Sequence, residues 1–224
     1  MEESKKTLYK AIVNAGFNVT ADKFLEAYDR ANEKHRITRY EKLVEVTNSV
    51  WVSEALNNLG FETTKEDARI KAALCIFFEE YVTSLELRPC AKATLQTLST
   101  KYKLGLISNF TYAPVIYAGL RKLDINKFFN VALVSEAVGW RKPHTKIFTE
   151  ALRKLEATAD ETVYVGDSPL EDIKGAKALG MKTIFVPSQF YSLEFLNESQ
   201  QKPDLIVEDL CELNRRFSGF VNDI

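Results

Sequence analysis

From residue 104 onward, short apolar runs alternate with helical stretches, and this alternation constrains the fold more than any other feature of the sequence. The runs are Leu104–Ser108 (LGLIS), Val131–Val134 (VALV), Thr162–Val165 (TVYV), Thr183–Val186 (TIFV) and Leu205–Val207 (LIV). They are too short for helices, are rich in β-branched residues and are apolar at consecutive positions. That is the pattern of strands buried on both faces. Helical periodicity fills the intervals at Tyr112–Leu123, Pro143–Leu155, Pro169–Leu179 and Leu193–Glu198, and a further helix at Lys92–Tyr102 precedes the first run. Such alternation needs crossover connections, so the expected fold is α/β, with a doubly wound parallel sheet of Rossmann-like arrangement.

The first 86 residues carry no strand signal. Helices are expected over Lys5–Ala15, Ala21–Arg36 and Arg39–Leu59, and from Thr63 or Thr64 to about Thr83; Gly16 and Gly60 close the first and third. The chain is therefore expected to divide into an N-terminal helical lobe, 1–86, and an α/β domain, 87–224, with the first helix assignable to either. Lys plus Arg number 30 against 31 Asp plus Glu, which excludes the basic excess of a nucleic-acid or anionic-membrane binder. The longest apolar run, Ala72–Phe78, is far short of the roughly 20 residues that span a bilayer. The first ten residues, MEESKKTLYK, hold no apolar core of a signal peptide. Cys75, Cys90 and Cys211 are widely spaced and odd in number. They suggest neither a disulfide framework nor a zinc site, so a cytoplasmic protein is expected. Oligomeric state is left open.

In an open parallel sheet, ligands bind beyond the C-terminal ends of the strands, so the residues that follow each run are the candidate site. Ser108 and Asn109 follow LGLIS; Lys142 stands before Pro143 in the segment after VALV; GDSPLED, with Asp167 and Asp172, follows TVYV. Two carboxylates five residues apart at a strand-to-helix junction offer hard oxygen ligands suited to Mg²⁺, which takes few protein ligands and keeps substrate phosphate and water. An ammonium beside a helix start favours an anion. Singly, each residue has an ordinary reading: Ser108 and Asn109 as a helix cap, Asp167 as a turn residue, Asp172 and Lys142 as solvated surface charges. His144 reads as a surface residue, and His35 as a helix-end residue interacting with the C-terminal dipole. In order at successive strand ends, the five point together to a phosphoryl group.

LGLISN, GWRKP and VGDSPLEDIKGA resemble the second, third and fourth motifs of the haloacid dehalogenase superfamily of hydrolases, in the family's order and spacing. The helical block resembles that family's cap, and PDLIVEDLCEL resembles its closing strand and helix. The resemblance implies that Ser108 hydrogen-bonds a phosphoryl oxygen, that Lys142 neutralises charge, and that Asp167 binds Mg²⁺. Asp172 would hold a metal-bound water or orient Lys142, and Asn109 would contact substrate. It also implies a phosphatase acting on a small phosphorylated metabolite through an aspartyl-phosphate, with the cap choosing the substrate. A 2-haloacid dehalogenase and a catalytically inactive phosphate-binding module are the alternatives. The family's first motif, a strand ending Asp-x-Asp, has no counterpart between residues 1 and 224, and it would lie between LGLIS and TVYV. Its absence is expected to leave a gap or to force those two strands to pair. A frame that begins upstream and a non-catalytic relative both fit this departure.

Overall fold

The computed structural model describes residues 2–222. It divides into two compact units, Met1–Leu85 with Phe110–Lys122, and Glu86–Asn109 with Leu123–Ile224. In chain order the first contains α1 (Glu2–Asn14), α2 (Ala21–Lys34), α3 (Arg36–Tyr40), α4 (Asn48–Asn57), α5 (Ala68–Phe77) and α6 (Glu79–Ser84). The chain then forms α7 (Ala91–Ser99) and β1 (Gly105–Ser108) of the second unit, and returns to the first as α8 (Ala113–Lys122). α8 belongs there because Tyr112 and Val115 join the same apolar core as Leu8, Ile12, Phe24 and Trp51.

The single helix expected over Arg39–Leu59 is instead two. The chain leaves α3 after Tyr40, Leu43 takes a left-handed backbone (φ 57°), and Thr47 starts α4 by accepting from the Val50 amide. A buried ion pair between Arg39 and Glu45, at 3.0 Å, holds the break. The next helix also starts later than expected. Asp67, not Thr63 or Thr64, caps α5, and Phe78 separates it from α6.

The second unit continues with β2 (Val131–Val134), α9 (Ser135–Val138), α10 (Thr145–Leu155) and β3 (Val163–Gly166). A π-helical turn over Pro169–Ile173 runs into α11 (Lys174–Lys177), followed by β4 (Lys182–Phe185), α12 (Leu193–Glu198), β5 (Leu205–Ile206) and α13 (Leu210–Asn222). All five strands fall on the apolar runs, and every pairing is parallel. Helices cover both faces: Leu98, Leu213 and Phe217 of α7 and α13 pack on Val163 and Val165, while Ile147 and Phe148 of α10 pack on Ile107 and Tyr164.

The strands form two parallel sheets, β1–β2 and β3–β4–β5, where one was expected. β1 and β3 do not pair, so the gap anticipated between LGLIS and TVYV is present and the direct pairing is not. The reading of the cysteines is also corrected. Cys90, ahead of α7, is bonded to Cys211 at the start of α13, with Cα atoms 5.1 Å apart, and Cys75 is free. A separation of 121 residues hides such a pair from spacing arguments. Among the described residues, no helix is long and apolar enough to cross a membrane.

Candidate functional site

All five candidate residues belong to the second unit. Lys142 bonds to a strand of each of its two sheets. Its ammonium donates to Asp172 Oδ1 at 2.5 Å, to the Ile107 carbonyl of β1 at 3.3 Å and to the Tyr164 hydroxyl of β3 at 3.4 Å. The lysine and the aspartate are 8% and 3% exposed, which rules out the surface reading for both. Burial alone would lower the Lys142 pKa. The surrounding Tyr164, Asp172 and Glu171 outweigh it and raise the pKa above the ordinary lysine value, so the ammonium stays charged. Burial pushes the Tyr164 phenol up, so it stays a neutral donor.

Asp172 accepts from four donors. Oδ1 takes Lys142 and the Tyr164 hydroxyl (3.0 Å), and Oδ2 takes the amides of Asp167 (3.2 Å) and Ser168 (3.0 Å). The carboxylate thus fixes both the lysine and the backbone turn after β3. The π-helical turn carries Asp172 back over Gly166, and a Cβ at Gly166 would stand 2.5 Å from the Asp172 side chain. Only glycine permits this approach. Ser168 supports the turn by accepting from the Glu171 amide. Beside it, Arg141 is buried, with Glu171 at 3.5 Å.

Asn109 holds the backbone of Lys142 at both ends: its Oδ1 accepts from the Lys142 amide (2.8 Å) and its Nδ2 donates to the Lys142 carbonyl (3.0 Å). The helix expected from Pro143 begins at Thr145, so Lys142 stands three residues ahead of its start. The Lys142–Pro143 peptide is cis, and His144 caps α10 by accepting from the Lys146 amide at 3.1 Å. His144 is therefore a cap whose ring packs at a tilt against Trp140, not a plain surface residue. His35, at the C-terminal end of α2, lies 2.9 Å from Glu54.

Two groups at the strand ends make no hydrogen bond among the described residues: the Asp167 carboxylate and the Ser108 hydroxyl. No cluster of three or more His, Cys, Asp or Glu side chains is placed to hold a metal among the described residues. With the oxygens of Asp172 taken up, Asp167 is the carboxylate with free lone pairs. One such ligand fits Mg²⁺ coordinated mainly by phosphate and water, and does not fit an all-protein cage. Sequence reasoning missed Tyr164, which reads as an apolar strand residue, and Gly166 as the hinge for Asp172. An aromatic hydroxyl inside an otherwise aliphatic buried strand was the available signal, because a buried Tyr needs a partner for its hydroxyl.

A sequence model of the haloacid dehalogenase-like hydrolases matches residues 52–186. Over 219 residues the chain is 27% identical to a protein of Methanopyrus kandleri named glyceraldehyde 3-phosphate phosphatase, covering 95% of this chain and 87% of that protein. A protein of the same name from Methanothermobacter thermautotrophicus is 35% identical over 127 residues, which are 56% of each chain. The match thus spans little more than half the length of that second relative. Among solved structures, a 2-haloacid dehalogenase from Pseudomonas syringae pv. Tomato DC3000 superposes with a TM-score of 0.65 at 24% identity, covering 97% of this chain and 92% of that one. That last likeness concerns the fold.

Proposed function

The chain belongs to the haloacid dehalogenase-like hydrolases, and from that membership we propose that it serves a magnesium-dependent phosphatase reaction on a small phosphorylated metabolite. The observation that carries this reading is the buried Lys142–Asp172 pair beside the free carboxylate of Asp167 and the free hydroxyl of Ser108. A phosphoryl group needs a fixed cation, a hydroxyl donor and a hard anionic ligand for its metal, and these groups supply one of each. The relatives named glyceraldehyde 3-phosphate phosphatase support a phosphorylated metabolite of that kind as substrate.

Lys142 holds its charge against the phosphoryl oxygens, and Ser108 donates to one of them. Asp167 binds Mg²⁺; when bound, the ion neutralises phosphoryl charge. Asp172 is assigned to positioning, because four donors occupy its oxygens. Asn109 is likewise a positioning residue, since its amide is committed to the Lys142 backbone. The family scheme attacks phosphorus with a carboxylate to form an aspartyl-phosphate. Residues 1–224 contain no Asp-x-Asp that would supply it. A phosphate-binding module without turnover is the alternative reading. The dehalogenase alternative has only fold likeness in its support.

The test is a phosphate-ester panel that includes para-nitrophenyl phosphate and glyceraldehyde 3-phosphate, with Mg²⁺. The chain as it stands should show no turnover. The chain with a fused upstream strand ending Asp-x-Asp should turn over, and Asp167→Asn in that protein should weaken its Mg²⁺ dependence and lower its rate. An inactive fusion would favour the binding module. Turnover by the unfused chain would place the nucleophile elsewhere.

A further inference from the structure

We propose that the Cys90–Cys211 bond is a modification site, at which a low-molecular-weight thiol exchanges with the disulfide of the folded chain by attacking Cys90 and expelling Cys211. The backbone makes the case first. The Arg88 carbonyl accepts from the Ala91 amide at 3.1 Å, which closes a turn with Pro89 and Cys90 at its two central positions. Cys90 takes φ 62° and ψ −3°, the conformation of the third residue of a type II turn, where glycine or asparagine is normal. A residue with a Cβ is strained there, and Cys90 gives α7 no side-chain cap in return. Thr47 and Ser192, by contrast, start α4 and α12 from extended backbone and cap them. What residue 90 contributes is its sulfur, and the bond to Cys211 holds it in the strained position.

Access decides which sulfur reacts. Cys90 is exposed and Cys211 is half-buried. Glu208, Asp209 and Glu212 surround Cys211 in sequence and repel an anionic thiolate, whereas the exposed Arg88 precedes Cys90. Exposed or strained disulfides are the ones that exchange, while relaxed buried ones resist. In the first step the thiolate sulfur bonds to Cys90 Sγ, the Cys90–Cys211 bond breaks, and its electron pair leaves on Cys211 Sγ, which takes a proton from water. In the second step another thiolate bonds to the sulfur of the attached thiol and expels Cys90 as thiolate. Two small thiols are thereby oxidised to their own disulfide, and the protein bond is reduced to two thiols. The fold does not depend on either sulfur alone. Thr94 Oγ1 donates to the Leu210 carbonyl at 3.0 Å, and Leu98, Leu213 and Phe217 share one apolar core, so α7 and α13 stay in contact when the bond opens. What opens is the start of the second unit. Residues from Glu86 to Cys90 lose their covalent tie to α13 and keep the bond from Arg88 to the Pro187 carbonyl. This site goes beyond the hydrolase reading and does not depend on it.

The experiment incubates the oxidised full chain, its free Cys75 alkylated beforehand, with reduced glutathione, quenches with acid and maps the adducts by peptide mass spectrometry. The glutathione adduct should sit on Cys90. A tenfold higher glutathione concentration should open the bond about tenfold faster, and urea below the unfolding transition should leave that rate unchanged, because the attack is on the folded chain. Circular dichroism of the opened chain should retain the helix signal of the closed one. In mixtures of reduced and oxidised glutathione, open and closed chains should both be populated, and oxidised glutathione should close the bond again. An adduct confined to Cys211 overturns the proposal. So does an opening rate that stops rising with glutathione and follows urea as global unfolding does, and so does a bond that stays closed at every glutathione ratio.

Discussion

Asp172→Ala removes the acceptor of four donors at once and leaves the Lys142 ammonium buried without a counter-charge. Both side chains are almost fully enclosed, at 10% and 4% side-chain exposure, so solvent does little to screen the loss. Breaking a buried pair from one side costs about 3–5 kcal/mol. With a urea slope of about 2 kcal/mol per molar, the midpoint should fall by about 1.5–2.5 M. Lys142→Met/Asp172→Ala removes the orphaned charge but still leaves the Tyr164 hydroxyl and the Asp167 and Ser168 amides without their acceptor, at about 1–3 kcal/mol each. The double variant should therefore stay below wild type yet exceed the additive expectation by at least about 1.5 kcal/mol. Trp140, two residues before Lys142, reports the second unit by fluorescence once Trp51 of the first is replaced by Phe. Strict additivity, or a single-variant cost under about 1 kcal/mol, would refute a coupled buried pair.

Gly166→Ala forces a Cβ to within 2.5 Å of Asp172 and should cost about 1–3 kcal/mol through overpacking. An unchanged urea midpoint would show that the turn has room. The folded-state pKa of Lys142 is raised above the unfolded value, so its stabilisation is complete below the unfolded lysine pKa of about 10.4 and fades only as pH climbs through the folded value. The stability difference from Lys142→Met should accordingly be flat from about pH 6 to 9 and shrink above about pH 10.5; a break near neutrality would contradict the assigned charge. Reducing Cys90–Cys211 releases a constraint over 121 residues and should cost about 4–5 kcal/mol in the chain-entropy treatment. A urea midpoint insensitive to dithiothreitol would show that α7 and α13 hold together without the bond.

The elements of the second unit were largely legible because parallel strands buried on both faces leave uninterrupted apolar runs, and Val131–Val134 and Leu193–Glu198 begin and end where the sequence places them. The break between α3 and α4 was not. It depends on a left-handed leucine at 43 and on Arg39 finding Glu45, neither of which has a local signature. The candidate site was legible as a set of strand-end residues, but not as a network. Nothing in GDSPLED says that Asp172 folds back onto the amides of Asp167 and Ser168, since that depends on the π-helical turn and on Gly166 lacking a side chain. Tyr164 and the Cys90–Cys211 bond depend on partners that only tertiary packing supplies.

The claim that these strand ends form a phosphate site is tested most directly by titrating the full chain with orthophosphate, with and without Mg²⁺, and following backbone amide and lysine Nζ resonances by NMR. Saturable shifts should centre on Ser108, Asn109, Lys142 and the Asp167–Ser168 turn, tighten with Mg²⁺, and lose that tightening in Asp167→Asn. Shifts scattered over surface lysines, or a phosphate response indifferent to both Mg²⁺ and Asp167→Asn, would contradict the account.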